Sequence, residues 1–185
     1  MRSHPALMTL RILWFALFAS IFLYMGIAYG VFTGKPTASP APIIPPTFGL
    51  VSIVLAATSF ILPRHSYRPM AKAAKVKIEE EVASNSVFPD RYREALPKQR
   101  VFAEPREALD KAFAVFMTPF IVSLALSEAI ALFGFVVAQL GFGMMSSLPF
   151  FVAGAVLIAI RFPRQETVMA RFEKAQSASF PQQNR

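Results

Sequence analysis

Hydrophobic and polar positions in this chain are sorted into long blocks. Four apolar runs, at about residues 12–32, 45–62, 112–140 and 146–161, are separated by polar segments. The first, Ile12 to Phe32, contains no charged residue and matches the roughly 20 residues that cross the hydrocarbon core of a bilayer. The second, Thr47 to Leu62, is slightly short, begins in the Ile43-Ile44 region and is closed by Pro63 and Arg64. The third, Ala112 to Leu140, exceeds the spanning length and turns at Gly141-Phe142-Gly143. The fourth is short, rich in small residues at Ala153-Gly154-Ala155, and ends at Arg161 and Arg164. The pattern predicts an all-α, polytopic membrane protein with four transmembrane helices, arranged as two hairpins joined by a cytoplasmic loop.

The connectors differ in kind. Gly34 to Pro46 is proline-rich, with Lys35 its only charge, and reads as a stiff, non-helical loop. Residues 64–111 form the one sizeable polar segment, with eleven basic and eight acidic residues. Within it, Met70 to Ala83 has helix-forming composition and predicts a surface helix, followed by a loop around Pro89 and Pro97. Lys75 and Glu79, and Lys77 and Glu81, stand at i,i+4 spacing in the less favoured order. Pro105 fits the first turn of the third helix, with Glu104 and Glu107 near its positive end. The tail, residues 165–185, is polar and expected to fray toward Pro181. No autonomous core is apparent in the loop, so residues 1–185 read as a single membrane domain.

Composition fits this picture. Of the 185 residues, 55% are hydrophobic and 16% charged, against roughly 45–50% and 25% in soluble domains. Basic residues set the orientation. The connectors after the first and third runs carry one and none, whereas the N-terminus, the 64–111 loop and the tail carry two, eleven and five. The positive-inside rule therefore places both termini and the large loop in the cytoplasm, in what reads as a bacterial inner membrane. Thr37-Ala38-Ser39 after the first run raises a cleaved signal peptide as an alternative, but that run is longer than the about 7–15 residues of a signal h-region. Trp14, Tyr24 and Tyr29 are candidates for interfacial aromatic belts.

The net charge of +8 does not point to nucleic acid, because the basic residues flank apolar runs and no binding module accompanies them. The chain has no cysteine, and His4 and His65 lie near no second ligand, so no metal or cofactor is expected. No P-loop, nucleophile elbow or carboxylate pair is present, and the expectation is a protein that is not an enzyme.

One residue breaks the apolar pattern. Glu128 is the only charge between Ala112 and Leu140, and a carboxylate at that depth costs about 2.5–3.5 kcal/mol on insertion scales. Short of Arg161 at the end of the fourth, no other apolar run contains an acidic or basic residue, so the sequence offers it no counter-ion within the membrane. Without one, its neutral, protonated form is favoured in lipid. Ser123, Ser127, Ala131, Gly134 and Ala138 recur at helical spacing beside it. Such a stripe of small side chains lets another helix approach closely, which places Glu128 at a helix contact or subunit interface. Ala153, Gly154 and Ala155 are candidates for the facing surface. Pro119 is a candidate kink ahead of Glu128.

Around Glu128 the stretch SLALSEAIALFGFVVAQL resembles the carboxylate-bearing helix of the rotor-ring c subunits, or proteolipids, of F- and V-type ATP synthases. Glu128 stands at the ion-binding carboxylate, Phe133-Gly134 at the following Tyr-Gly pair, and Val136-Val137-Ala138 after it. Pro105-Arg106-Glu107 is similar to the family's exit from its polar loop. The likeness covers about 35 residues of the 185. It implies a proton-binding Glu128 in a larger membrane complex. Ala129 supplies no hydroxyl after the carboxylate and Phe133 no phenol, so a sodium site is not carried over. The second run has Gly49 alone where the family's inner helix has closely spaced glycines, and the first and fourth runs have no counterpart in a two-helix subunit.

Two functions follow as expectations. One is a proteolipid-like membrane protein binding a proton at Glu128. The other is a non-catalytic scaffold or accessory subunit in which Glu128 is a buried polar anchor. Both predict the bilayer as partner, together with other membrane subunits or self-association.

Overall fold

The computed structural model describes residues 4–32, 43–82 and 98–181. The proline-rich connector and the loop around Pro89 and Pro97 lie largely outside these residues. Among them the chain forms five helices: α1 (Pro5–Phe32), α2 (Ile44–Ala73), α3 (Pro105–Gln139), α4 (Met144–Ala159) and α5 (Gln165–Gln176). Two short strands, β1 (Ile78–Val82) and β2 (Lys98–Phe102), pair antiparallel. Helices α1, α2 and α3 are each long and apolar enough to cross a membrane. Helix α4 has 16 residues, a rise of about 24 Å, short of the roughly 30 Å of hydrocarbon.

The chain divides into two compact units, one of Met1–Ser66 with Met117–Pro163 and the other of Tyr67–Phe116 with Arg164–Arg185. The first holds α1, α4, α2 as far as Ser66 and α3 from Met117. Of the most apolar stretch of α3, 44% is buried, against 17% for α1 and 6% for α2, so α3 is the central helix. Helix α1 starts with Pro5 in its first turn, where the missing amide is harmless, and the Ala6 amide donates to His4 Nδ1. Its inner side carries Leu7, Leu10, Ile21 and Ala28, while Met8, Ile12, Phe15 and Leu23 point outward. Helix α2 has an inner stripe of Phe48, Ser52, Leu55 and Ser59, part of it packed on a core of Ile130, Val137 and Phe150.

Helix α2 does not close at Pro63 as expected but continues to Ala73. A proline inside a helix withdraws one amide and costs about 3 kcal/mol. The buried Tyr67 and Ala71 beyond it provide packing that offsets the loss. Gln176 Nε2 then donates to the terminal carbonyls of Ala71 and Ala74, at 2.6 and 2.9 Å. Helix α3 likewise runs unbroken through Pro119.

The second unit corrects one further expectation. The surface helix over 70–83 is not formed: Met70–Ala73 belong to α2, and residues 78–82 are strand β1. Ile78 pairs with Phe102 and Glu80 with Arg100. Opposite charges directly across a ladder, and a fully buried Phe102, outweigh the few tenths of a kcal/mol that i,i+4 pairs in the weaker order supply. The tail is ordered as α5, with Glu166 in its first turn and Lys174 in its last, each complementing the helix dipole. Val168 and Phe172, one turn apart, are fully buried, and Phe172 and Phe180 both pack on Phe102. Residues 178–181 follow the helix, with Ser179 bridged to Val101. Lys77 bonds Glu104 at 2.8 Å, and that contact holds its ammonium above the ordinary lysine range.

Candidate functional site

Helices α3 and α4 are joined by a turn whose two glycines adopt positive φ, 87° at Gly141 and 75° at Gly143, a region that side chains disfavour. The turn brings α4 back along α3. A Cβ built on Gly154 would lie 2.9 Å from Ala131 Cβ and 3.0 Å from the Ser127 carbonyl oxygen. One built on Gly134 would lie 2.9 Å from Phe150 Cβ and 3.0 Å from the Ser147 carbonyl oxygen. The small-residue positions of α3 therefore sit as follows: Ser127, Ala131 and Gly134 lie against α4, and Ser123 and Ala138 are buried as well. Of the three small residues on α4, Gly154 makes the close approach.

Glu128 is half-buried and turned toward α1. Ser20 Oγ lies 2.7 Å from Glu128 Oε1, and the Tyr24 hydroxyl donates to the same oxygen at 3.2 Å. Ser20 and Tyr24 are one turn apart on α1, so one face of that helix presents both hydroxyls. Ser20 Oγ also lies 2.8 Å from the Leu17 carbonyl oxygen of its own helix. A serine hydroxyl has one proton to give and two lone pairs to receive. It can satisfy Glu128 in either charge state. Facing a carboxylate, Ser20 donates to Oε1. Facing a carboxylic acid, its proton turns to Leu17 O and its oxygen accepts the carboxyl proton.

A second polar cluster lies beside the first. Ser127, the residue before Glu128, accepts a bond from Arg161 Nη1 at 2.6 Å. Arg161 Nη1 also donates to the Leu157 carbonyl at 2.7 Å, and Nη2 donates to Ser59 Oγ on α2 at 2.7 Å. The guanidinium lies over the Phe60 ring at 4.3 Å. Ser59 and Ser127 give their own protons to Ala56 O and Ser123 O, which leaves lone pairs free for the arginine. Trp14 Nε1 donates to Ile158 O at 2.8 Å, so Trp14 and Arg161 together satisfy carbonyls at the end of α4.

The sequence reading missed four of these residues, Ser20, Tyr24, Ser59 and Arg161. Tyr24, expected in an interfacial belt, instead bonds Glu128. Its i,i+4 spacing from Ser20, in a run with no charge, was the available signal. Ser59 carried no signal of its own. Arg161 read as the basic end of an apolar run, and the reading left the membrane segments without a cation. Arg161 lies just beyond the end of α4, and its side chain folds back along that helix to the Leu157 carbonyl and reaches Ser127.

Among the described residues no group of three or more His, Cys, Asp or Glu could hold a metal ion. Comparison with protein-family models, with curated proteins and with solved structures finds no match to the chain.

Proposed function

We propose that this chain is a small, non-catalytic integral membrane protein, proteolipid-like in α3, in which Glu128 binds and releases a proton at the contact between α1 and α3 as part of a larger membrane complex. In this reading α4 completes a fourth span, the helices form two hairpins, and both termini face the cytoplasm of a bacterial inner membrane. The supporting observation is Ser20, placed within 2.7 Å of Glu128 and 2.8 Å of Leu17 O. A structural hydroxyl needs one acceptor; this one has two, and the choice between them follows the charge of the carboxyl. Half-burial leaves Glu128 able to meet water or a partner subunit.

Dicyclohexylcarbodiimide, which reacts with protonated carboxyls in apolar surroundings, tests this reading. Glu128 is expected to be labelled in membranes at acid pH, with labelling falling as pH rises and absent in Glu128→Gln. No labelling at acid pH would count against a proton site.

A second reading is favoured by the Arg161 cluster. Ser20, Tyr24, Glu128, Ser127, Arg161 and Ser59 link all four apolar helices of the first unit through polar contacts. Such links suit an accessory subunit in which Glu128 is an anchor and never changes charge.

A further inference from the structure

Arg161 carries a charge that no described residue neutralises. A guanidinium has five N–H donors. Nη1 spends two, on Ser127 Oγ and Leu157 O, and Nη2 spends one on Ser59 Oγ. All three acceptors are neutral, and so is the Phe60 ring beneath. The described ion pairs, Lys77 with Glu104 and Lys111 with Glu107, leave Arg161 out. Glu128 bonds Ser20 and Tyr24 on α1 instead. Hydrogen bonds satisfy donors but not charge, and a half-buried cation among apolar helices is costly until an anion meets it. Nε–H and the second Nη2–H have no acceptor among the described residues, so two donors remain for that anion.

The surroundings of Arg161 narrow the kind of anion. The guanidinium lies where the apolar runs of α2 and α4 end, at Leu62 and Ile160, the depth at which hydrocarbon gives way to headgroup. Ile53, Phe60 and Arg64 share the face of α2 beside it, and Val156 and Ile160 share a face of α4; all five are exposed. We infer that Arg161 binds the phosphate of an anionic phospholipid at the seam of α2 and α4. The acyl chains lie along Ile53, Phe60, Val156 and Ile160, and Arg64 is a second cation for the headgroup. A soluble anion would leave that apolar surface unused; a lipid covers it. Three hydrogen bonds already fix the guanidinium, so little rotamer freedom is lost on binding, and its fork grips two phosphate oxygens at once. Ser59 and Ser127 are positioning residues for it. Binding here requires the helices to lie in a bilayer but no change of charge at Glu128, so failure of one leaves the other standing.

The test uses the full chain in vesicles of phosphatidylcholine with a minority of phosphatidylglycerol. After gentle detergent extraction, the two lipids that remain with the protein are measured by mass spectrometry. Phosphatidylglycerol is expected to be enriched over phosphatidylcholine. The enrichment is expected to fall about tenfold in Arg161→Gln, the weaker end of what hydrogen bonds to a charged group supply. It is expected to fall about fivefold in Arg64→Gln, the tendency for one basic residue near an anionic surface. Arg161→Lys, which keeps the charge without the fork, and Ser59→Ala, which loosens the guanidinium, each lower it by a smaller factor than Arg161→Gln. Lys174→Gln on α5 keeps all of it. The inference is overturned if wild-type protein shows no enrichment, if Arg161→Gln keeps it, or if Lys174→Gln lowers it as much as Arg161→Gln. Should Arg161→Gln fail to insert, wild-type enrichment in both Arg161→Lys and Ser59→Ala overturns it instead. It is also overturned if inorganic phosphate displaces the lipid, since the ligand would then be a soluble anion.

Discussion

Gly154→Leu is expected to separate α4 from α3 and to cost about 3 kcal/mol of stability, the upper part of the range for overpacking a well-filled contact. Even a methyl group at this position would stand 2.9 Å from Ala131 Cβ and 3.0 Å from a backbone carbonyl oxygen. The neighbours that would have to give way are main chain and a short side chain, not the flexible end of a long one. A leucine must therefore push the helices apart. That movement also draws Arg161, just beyond the end of α4, away from Ser127 and Ser59. Reversible unfolding in detergent micelles measures the loss, with Gly154→Ala giving a smaller one. Wild-type stability in Gly154→Leu would mean that the close approach is not a feature of the protein in its membrane.

Glu128→Leu is expected to cost about 1–2 kcal/mol, the sum of two hydrogen bonds at the roughly 0.6 kcal/mol average and 1.7 kcal/mol maximum measured between membrane helices. The Ser20 hydroxyl still has Leu17 O, so the larger part of the loss falls on Tyr24. Glu128→Gln behaves differently. Its amide oxygen, placed where Oε1 stands, accepts from both Ser20 and Tyr24. It is expected to keep stability within a few tenths of a kcal/mol and to lose every pH-dependent property of the site. Combining each substitution with Tyr24→Phe separates the partners. The phenol loss is expected to add to Glu128→Gln but to be nearly silent on Glu128→Leu, where the acceptor has already gone. Equal tolerance of leucine and glutamine would remove the α1–α3 tie altogether.

The chain's block pattern made the three long apolar helices legible, because twenty apolar residues in a row have few other uses. It also made Glu128 stand out, since a lone carboxylate in such a run is costly wherever it points. The small residues at 127, 131 and 134 marked the face of α3 that meets α4, because a missing side chain is visible in sequence. What stayed hidden depends on distant segments meeting. Nothing local relates Ser59 to Arg161, or Phe172 to Phe102, and each pair is decided by tertiary packing. Helix α5 in the polar tail went unread because Val168 and Phe172 are its only buried residues, too few apolar positions to register as a periodic face. The strand at 78–82 was masked by the helix-forming glutamates, whose propensity yielded to a ladder partner about 20 residues away.

The proposed role of Glu128 turns on whether its proton comes and goes while Ser20 follows it. Infrared difference spectra of the protein in liposomes, with Glu128→Gln as baseline, report the carboxylic-acid C=O band of this one residue. The account predicts a band at acid pH that disappears as pH rises and that changes frequency in Ser20→Ala, where the acid has lost its acceptor. A band present at every accessible pH, or at none, would contradict it and leave Glu128 as a fixed polar anchor.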